Sequence, residues 1–185
     1  MTLTSNKVVY ADPSKFTKEQ QEQLTRTPIN LTRMLLHCSG DMVKSLYDLA
    51  WTFRSGNLEP RMREAIILRM ATIRNCSYEL SQHVPAAKLA GLSDGEIAAI
   101  TSVRPSGLDE KLALMLGLVD DCAEHGKVTG PVFEVATVVF TIAEIAEATL
   151  LSGLYDMVAC FIETMGVEID QHPLNWKSVD KQEGH

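Results

Sequence analysis

Cysteine, aromatic residues and positive charge are the things this 185-residue chain has little of, and each scarcity removes a class of protein. Its four cysteines, Cys38, Cys76, Cys122 and Cys160, are spread widely through a chain long enough to bury a sizeable core, so no disulfide framework is implied. Lys and Arg number 17 against 24 Asp and Glu, for a net charge of -7. That deficit argues against the basic footprint of a nucleic-acid binder and against a polybasic membrane anchor. Long uncharged apolar runs are also missing, because Glu134, Glu144, Glu147 and Asp156 interrupt the most apolar region, residues 132–162. This region reads as buried helix suited to a subunit interface, with no membrane partner expected. The opening stretch MTLTSNKVVYADPSKF has no apolar core of signal-peptide length, and a cytoplasmic protein is expected.

What is present is helical periodicity. With 45% hydrophobic and 22% charged residues the composition fits one globular domain. Residues 1–16 form a polar arm, and Thr17 with Gln20 makes a capping box for a short polar helix ending near Thr27-Pro28. Leu31, Met34, Leu35 and Cys38 mark an amphipathic helix stopped by Ser39-Gly40. Asp41 is read as the cap of the next, which buries Val43, Leu46, Leu49, Ala50 and Phe53 and ends at Gly56. Further on, Ser93 with Glu96 forms a second capping box, and Arg104-Pro105-Ser106-Gly107 is a loop. Residues 108–125 form a helix closed by Gly126, and the run from Thr129 to about Met165 needs a break near Phe140-Thr141. The β-branched segment VATVVF competes between strand and helix, and its helical flanks favour helix. The polar tail from Asp170, with Pro173, is expected on the surface, where Trp176 can strap it across a neighbour.

The chemistry concentrates in residues 59–91. Glu59-Pro60 opens a helix, with Ile66, Ile67, Met70, Ala71 and Ile73 on its core face. Asn75 is a poor residue inside a helix and a good cap, so a second helix is read as starting near Cys76. Cys76, Glu79 and His83 then fall at i, i+3 and i+7, on one face. In one unbroken helix Glu64 would lie about 18 Å from Cys76 and about 28 Å from His83. Glu64 joins the others only if the chain reverses at Arg74-Asn75 into a helical hairpin.

This pattern, Glu64, Cys76, Glu79 and His83 followed by Ala86-Ala87 and Ala90-Gly91-Leu92-Ser93, resembles the carboxymuconolactone decarboxylase and alkylhydroperoxidase D superfamily. Thr32-Arg33-Met34-Leu35 with His37, Leu154-Tyr155-Asp156-Met157, and Gly166-Val167-Glu168 extend the similarity to its longer decarboxylase-like members, over roughly residues 28–170. The resemblance implies an all-α helical bundle built around the central hairpin, as a homo-oligomer. Residues 1–27 and 171–185 would be an N-terminal arm and a tail. Where the hydroperoxidase branch carries a second cysteine, this chain has Glu79, so the dithiol cycle of that branch has no counterpart here. Leu80 stands where many such relatives carry tryptophan.

Each candidate also has a plainer role. His83 is the proton carrier or a satisfied structural histidine. Glu64 orients His83 or complements the dipole of its own helix. Glu79 is a general acid if buried and a solvated first-turn carboxylate if not. Cys76 is a thiol activated by the helix N-terminus or a small buried hydrophobe. Tyr78, Arg69 and Arg74, with Arg63, are candidates to hold a substrate anion, or else packing and ion-pairing residues. His37-Cys38 and Cys122 with His125 do not amount to a metal site. The reading that follows from the resemblance is a cofactor-independent decarboxylase or isomerase acting on a small carboxylated or lactone-like molecule. The alternatives are a hydroperoxide reductase using Cys76 and a noncatalytic oligomeric binding protein.

Overall fold

The computed structural model describes residues 8–176, and among these the regular structure is entirely helical. A 3-10 turn at Pro13–Lys15 precedes α1 (Lys18–Arg26), α2 (Asn30–Leu35), α3 (Gly40–Thr52), α4 (Pro60–Ile73) and α5 (Ser77–Leu89). They are followed by α6 (Asp94–Ile100), α7 (Glu110–His125), α8 (Gly130–Val139) and α9 (Ile142–Met165). The expected break falls between α8 and α9, where Thr141 and Glu144 form a capping box, and VATVVF is helical.

α4 is the axis of the fold. Every residue from Met62 to Ala71 is buried, and a helix apolar on most sides must be surrounded by others. It packs against α5, α7 and α9. The main core joins Ile66, Ile67, Leu68 and Met70 of α4 to Leu112, Met115 and Leu116 of α7 and Leu151 of α9. A smaller cluster gathers Met34, Leu36, Val43, Cys76, Tyr78, Ala159 and Ile162 around α2 and the far end of α9. α9 is long and apolar enough by length and composition to cross a bilayer. Its inner positions, among them Ile145, Ala148, Leu151, Ser152 and Leu154, are buried in this core.

The chain reverses where the spacing requires it. Asn75 adopts φ 54, the left-handed conformation that asparagine tolerates better than other residues with a Cβ. The Cys76 N–H then donates to the Ala71 carbonyl at 2.8 Å, and the Asn75 N–H to Thr72 at 3.1 Å. This is a Schellman closure of α4, which satisfies carbonyls its last turn would leave open. Asn75 therefore ends the first helix, while Cys76 occupies the N-cap position of α5.

Two boundaries differ from the sequence reading. Ser39, not Asp41, caps α3, its hydroxyl accepting from the Met42 N–H, and α3 ends at Thr52, before Gly56. Gly56 is needed for another reason: a Cβ there would sit 2.5 Å from the Glu147 carboxylate. Glu147 accepts the backbone N–H groups of Asn57 and Leu58, at 2.7 and 3.1 Å, and so pins this loop to α9.

Replacing Asn75 with alanine should destabilise the protein by about 1 kcal/mol through the left-handed position, while Asn75→Gly should not. Denaturant midpoints for the two variants check this.

Candidate functional site

The hairpin brings Glu64 of α4 against His83 of α5. Glu64 Oε2 lies 2.9 Å from His83 Nδ1, and both residues are buried, at 1% and 7% exposure. Arg63 Nε donates to Glu64 Oε1 at 3.2 Å. Burial pushes Glu64 toward its neutral form, but the hydrogen bond with His83 and the positive charges around it outweigh that, holding the carboxyl below its ordinary range. An ionised carboxylate only accepts, so His83 Nδ1 carries a proton and donates it to Glu64. Nε2 faces the Tyr155 hydroxyl of α9 at 3.3 Å, with the two rings edge to face. Burial, together with the Glu64 carboxylate, pushes the Tyr155 hydroxyl far above its ordinary value and keeps it a donor.

These groups open onto a cavity of about 90 Å³ at the junction of the two core clusters. Its walls are mainly apolar, with Leu46, Ala50 and Trp51 from α3 facing Ile67, Leu151, Leu154 and Val158. Glu79, four residues before His83 on α5, also lines it. Only 3% of Glu79 is exposed, and its Oε2 has no hydrogen-bond partner among the described residues. Burial alone raises this carboxyl well above its ordinary range. The cavity therefore holds one carboxylate, one neutral carboxylic acid, one imidazole and one phenol, each in a different state because each has a different environment.

The remaining candidates are placed less uniformly. Tyr78 lines the cavity, but its hydroxyl donates to Asp170 at 2.5 Å and accepts from the Leu31 N–H. Cys76 is fully buried in the smaller core cluster and is not among the cavity's lining residues. Burial pushes its thiol up to about 12, and the Glu79 N–H at the helix start does not overcome this. Of the two readings of Cys76, desolvation favours the small buried hydrophobe over the activated thiol.

Arg69 and Arg74, read as possible anion holders, are committed elsewhere. Arg69 makes two parallel bonds to Asp120 at 2.5 and 3.0 Å and caps the Ile100 and Ser102 carbonyls, tying α4 to α7. Arg74 pairs with Asp156 on the outside. Arg54 and Arg63 are the arginines that reach the cavity, and only Arg63 had been noted. Leu80 packs against the main core and is not one of the lining residues.

Sequence reasoning missed Tyr155 as a site residue, along with Gln82, Asp170 and Trp176. Tyr155 carried one signal: it lies on the inward stripe of an apolar helix, where a buried hydroxyl needs a partner. Trp176 straps the tail across its own chain. Its ring lies 5.1 Å from that of His83, and its Nε1–H donates to the Gln82 carbonyl at 2.7 Å.

The all-helical bundle around the central hairpin matches AhpD-like core structures. The likeness is borne out by a protein of unknown function from Agrobacterium tumefaciens, related in its description to the antioxidant-defence protein AhpD. It is 27% identical, with 74% of this chain and 94% of that chain covered and a TM-score of 0.63. An uncharacterized peroxidase-related protein from Ralstonia eutropha JMP134, described as an alkylhydroperoxidase AhpD core, shares the fold at 12% identity. Its TM-score is 0.76, over 92% of this chain and 95% of that one. A peroxidase-related protein from Silicibacter sp. TM1040 does so at 15% identity and a TM-score of 0.70, over 87% and 88% of the two chains. Residues 41–120 match the carboxymuconolactone decarboxylase family. Through that match and these structures the chain is similar to the carboxymuconolactone decarboxylase and AhpD-like proteins. No curated protein matches it.

The state of Glu79 has a measurable consequence. A carboxyl neutral in the folded protein but ionised in the unfolded chain costs stability as pH rises above its unfolded value of about 4.5. Glu79→Met, of similar length, should therefore be more stable than the parent at neutral pH. The gap should open by about 1.4 kcal/mol per pH unit above about pH 4.5, until the folded carboxyl itself ionises, and close below it. Denaturation midpoints measured across that range should show this slope; a gap independent of pH would mean Glu79 is ionised in the fold.

Proposed function

We propose that this protein is a cofactor-independent proton-transfer enzyme, of decarboxylase or isomerase type, for a small carboxylated or lactone-like substrate. The observation that carries the reading is the chain of groups Glu64, His83 and Tyr155, at 2.9 and 3.3 Å, beside a neutral Glu79 in an apolar cavity. Glu64 fixes the imidazole so that Nε2 faces the cavity side. In an isomerisation Nε2 takes the proton from the carbon next to a carbonyl, the electron pair moves onto the carbonyl oxygen, and the imidazolium returns the proton elsewhere. In a decarboxylation the carbon–carbon bond to the carboxylate breaks, its pair passes to the same oxygen, and protonated His83 delivers the proton to carbon. The enolate oxygen is stabilised by hydrogen bonds from the Tyr155 hydroxyl and the Glu79 acid, both kept neutral by burial.

Two of the structural neighbours are described as peroxidase-related, but peroxide reduction by Cys76 is less well supported here. Cys76 is fully buried away from the cavity, with its thiol pushed up to about 12. Thiolate attack on a peroxide needs the opposite environment.

The protein is further proposed to assemble with copies of itself. Ala146, Leu150, Gly153, Met157 and Cys160 are exposed along α9 at alternating spacings of four and three, the seam of a helix that packs on another helix. Light scattering should give a multiple of the 20.4 kDa chain mass, and Leu150→Lys should reduce it. A monomer at micromolar concentration would overturn this.

Catalysis is tested by screening small lactones and β-keto acids for carbon dioxide release and for solvent deuterium uptake beside the carbonyl. His83→Ala should lower turnover by on the order of 10²-fold or more. Glu64→Gln should act in the same direction, and Cys76→Ser should have little effect. Unchanged turnover in the first two variants would exclude the assignment, and peroxide consumption lost in Cys76→Ser would favour the thiol reading.

A further inference from the structure

The cavity beside His83 has a neighbour. A second, polar chamber of about 270 Å³ is lined by Arg54, Arg63, Glu64, Leu89, Ala90 and Trp176, among others. Arg54, Arg63, Glu64 and Trp176 line both chambers. Of these, Arg63 and Glu64 belong to the fixed central helix. Trp176, a helical residue whose side chain is 7% exposed, ends a stretch in which Gln171, His172, Pro173 and Asn175 are exposed.

Among the described residues, most of the hydrogen bonds that hold this stretch converge on Gln82, next to His83. Asp170 Oδ2 accepts from the Gln82 side chain at 3.0 Å and from the Tyr78 hydroxyl, while its Oδ1 accepts the Asn30 N–H at 2.9 Å. Further along, the Leu174 N–H donates to Gln82 Oε1 at 2.9 Å and Trp176 Nε1–H to the Gln82 carbonyl. The Gln82 carbonyl follows that of Ser81, which Pro85 leaves without its helical N–H partner and crowds, so the helix is already perturbed beside it. So held, the Trp176 ring lies against His83, against Trp51 at 6.3 Å, and beneath the Arg54 guanidinium at 5.4 Å.

We infer that residues 170–176 are an access strap, and that Trp176 is the residue deciding what passes from the arginine-lined chamber to His83. Among the described residues, releasing the strap breaks a handful of hydrogen bonds and lifts one ring while α1 to α9 stay intact, so it opens at far less cost than the bundle unfolds. The inner walls select a small, mainly apolar molecule, and Trp176 sets how large it can be. The inference rests on the cavity being the ligand site, but access is readable without turnover, so its failure would leave the proton-transfer chemistry untouched.

The test is carbethoxylation of histidines in the full-length protein by diethyl pyrocarbonate, with peptide mass spectrometry giving a separate rate for each site. His37 and His125, both exposed, are internal controls. In Trp176→Ala the His83 rate should rise by about tenfold or more relative to the controls, and Asp170→Ala, which removes the latch but keeps the ring, should give a smaller rise confined to His83. If Trp176→Ala accelerates all three histidines together, the whole chain has loosened and Asp170→Ala decides alone. A His83 rate that does not rise selectively in either variant would overturn the inference.

Discussion

The hydrogen bond between Glu64 and His83 is the constraint around which the rest is arranged. A carboxylate that is 1% exposed stays ionised only if charge and hydrogen bonds offset its lost hydration. Glu64 has both, from His83 on one oxygen and Arg63 on the other. Keeping it charged holds a proton on His83 Nδ1, and hence fixes which nitrogen faces Tyr155. The hairpin, the buried axis α4 and the approach of α9 can all be understood as what delivers three side chains from three helices to one point.

The same burial decides the states of the neighbours. Glu79 has no partner to offset desolvation and remains an acid, while Cys76, at a helix start that would favour a thiolate on the surface, is driven the other way. Local rules about helix ends lose to the environment once the group leaves water.

How much of this the sequence carried depends on how far apart the interacting residues are. Helix limits were legible at Thr17 with Gln20 and at Ser93 with Glu96, because a capping box spans only four positions. The reversal at Asn75 was legible because asparagine interrupts an otherwise regular pattern, although it serves as the end of α4 and not the start of α5. Glu64 and His83 could be paired because one turn separates their helices. Tyr155 and Trp176 lie 72 and 94 residues beyond the α5 residues they bond, and no local pattern announces such partners. The arginines failed for a related reason: Arg63 and Arg69 share a helix buried on nearly every side, so which neighbour each meets is settled by packing.

The tight closure of α4 by Asn75 and Cys76 has one more consequence. Glu64 and His83 are separated by 19 positions along two rigid helices joined by almost no slack. Inserting or deleting a single residue within either helix between them would swing one side chain about 100° around its axis. The length of this segment is therefore a dimension of the site, as fixed as a bond angle, and variation in chain length has to be accommodated elsewhere.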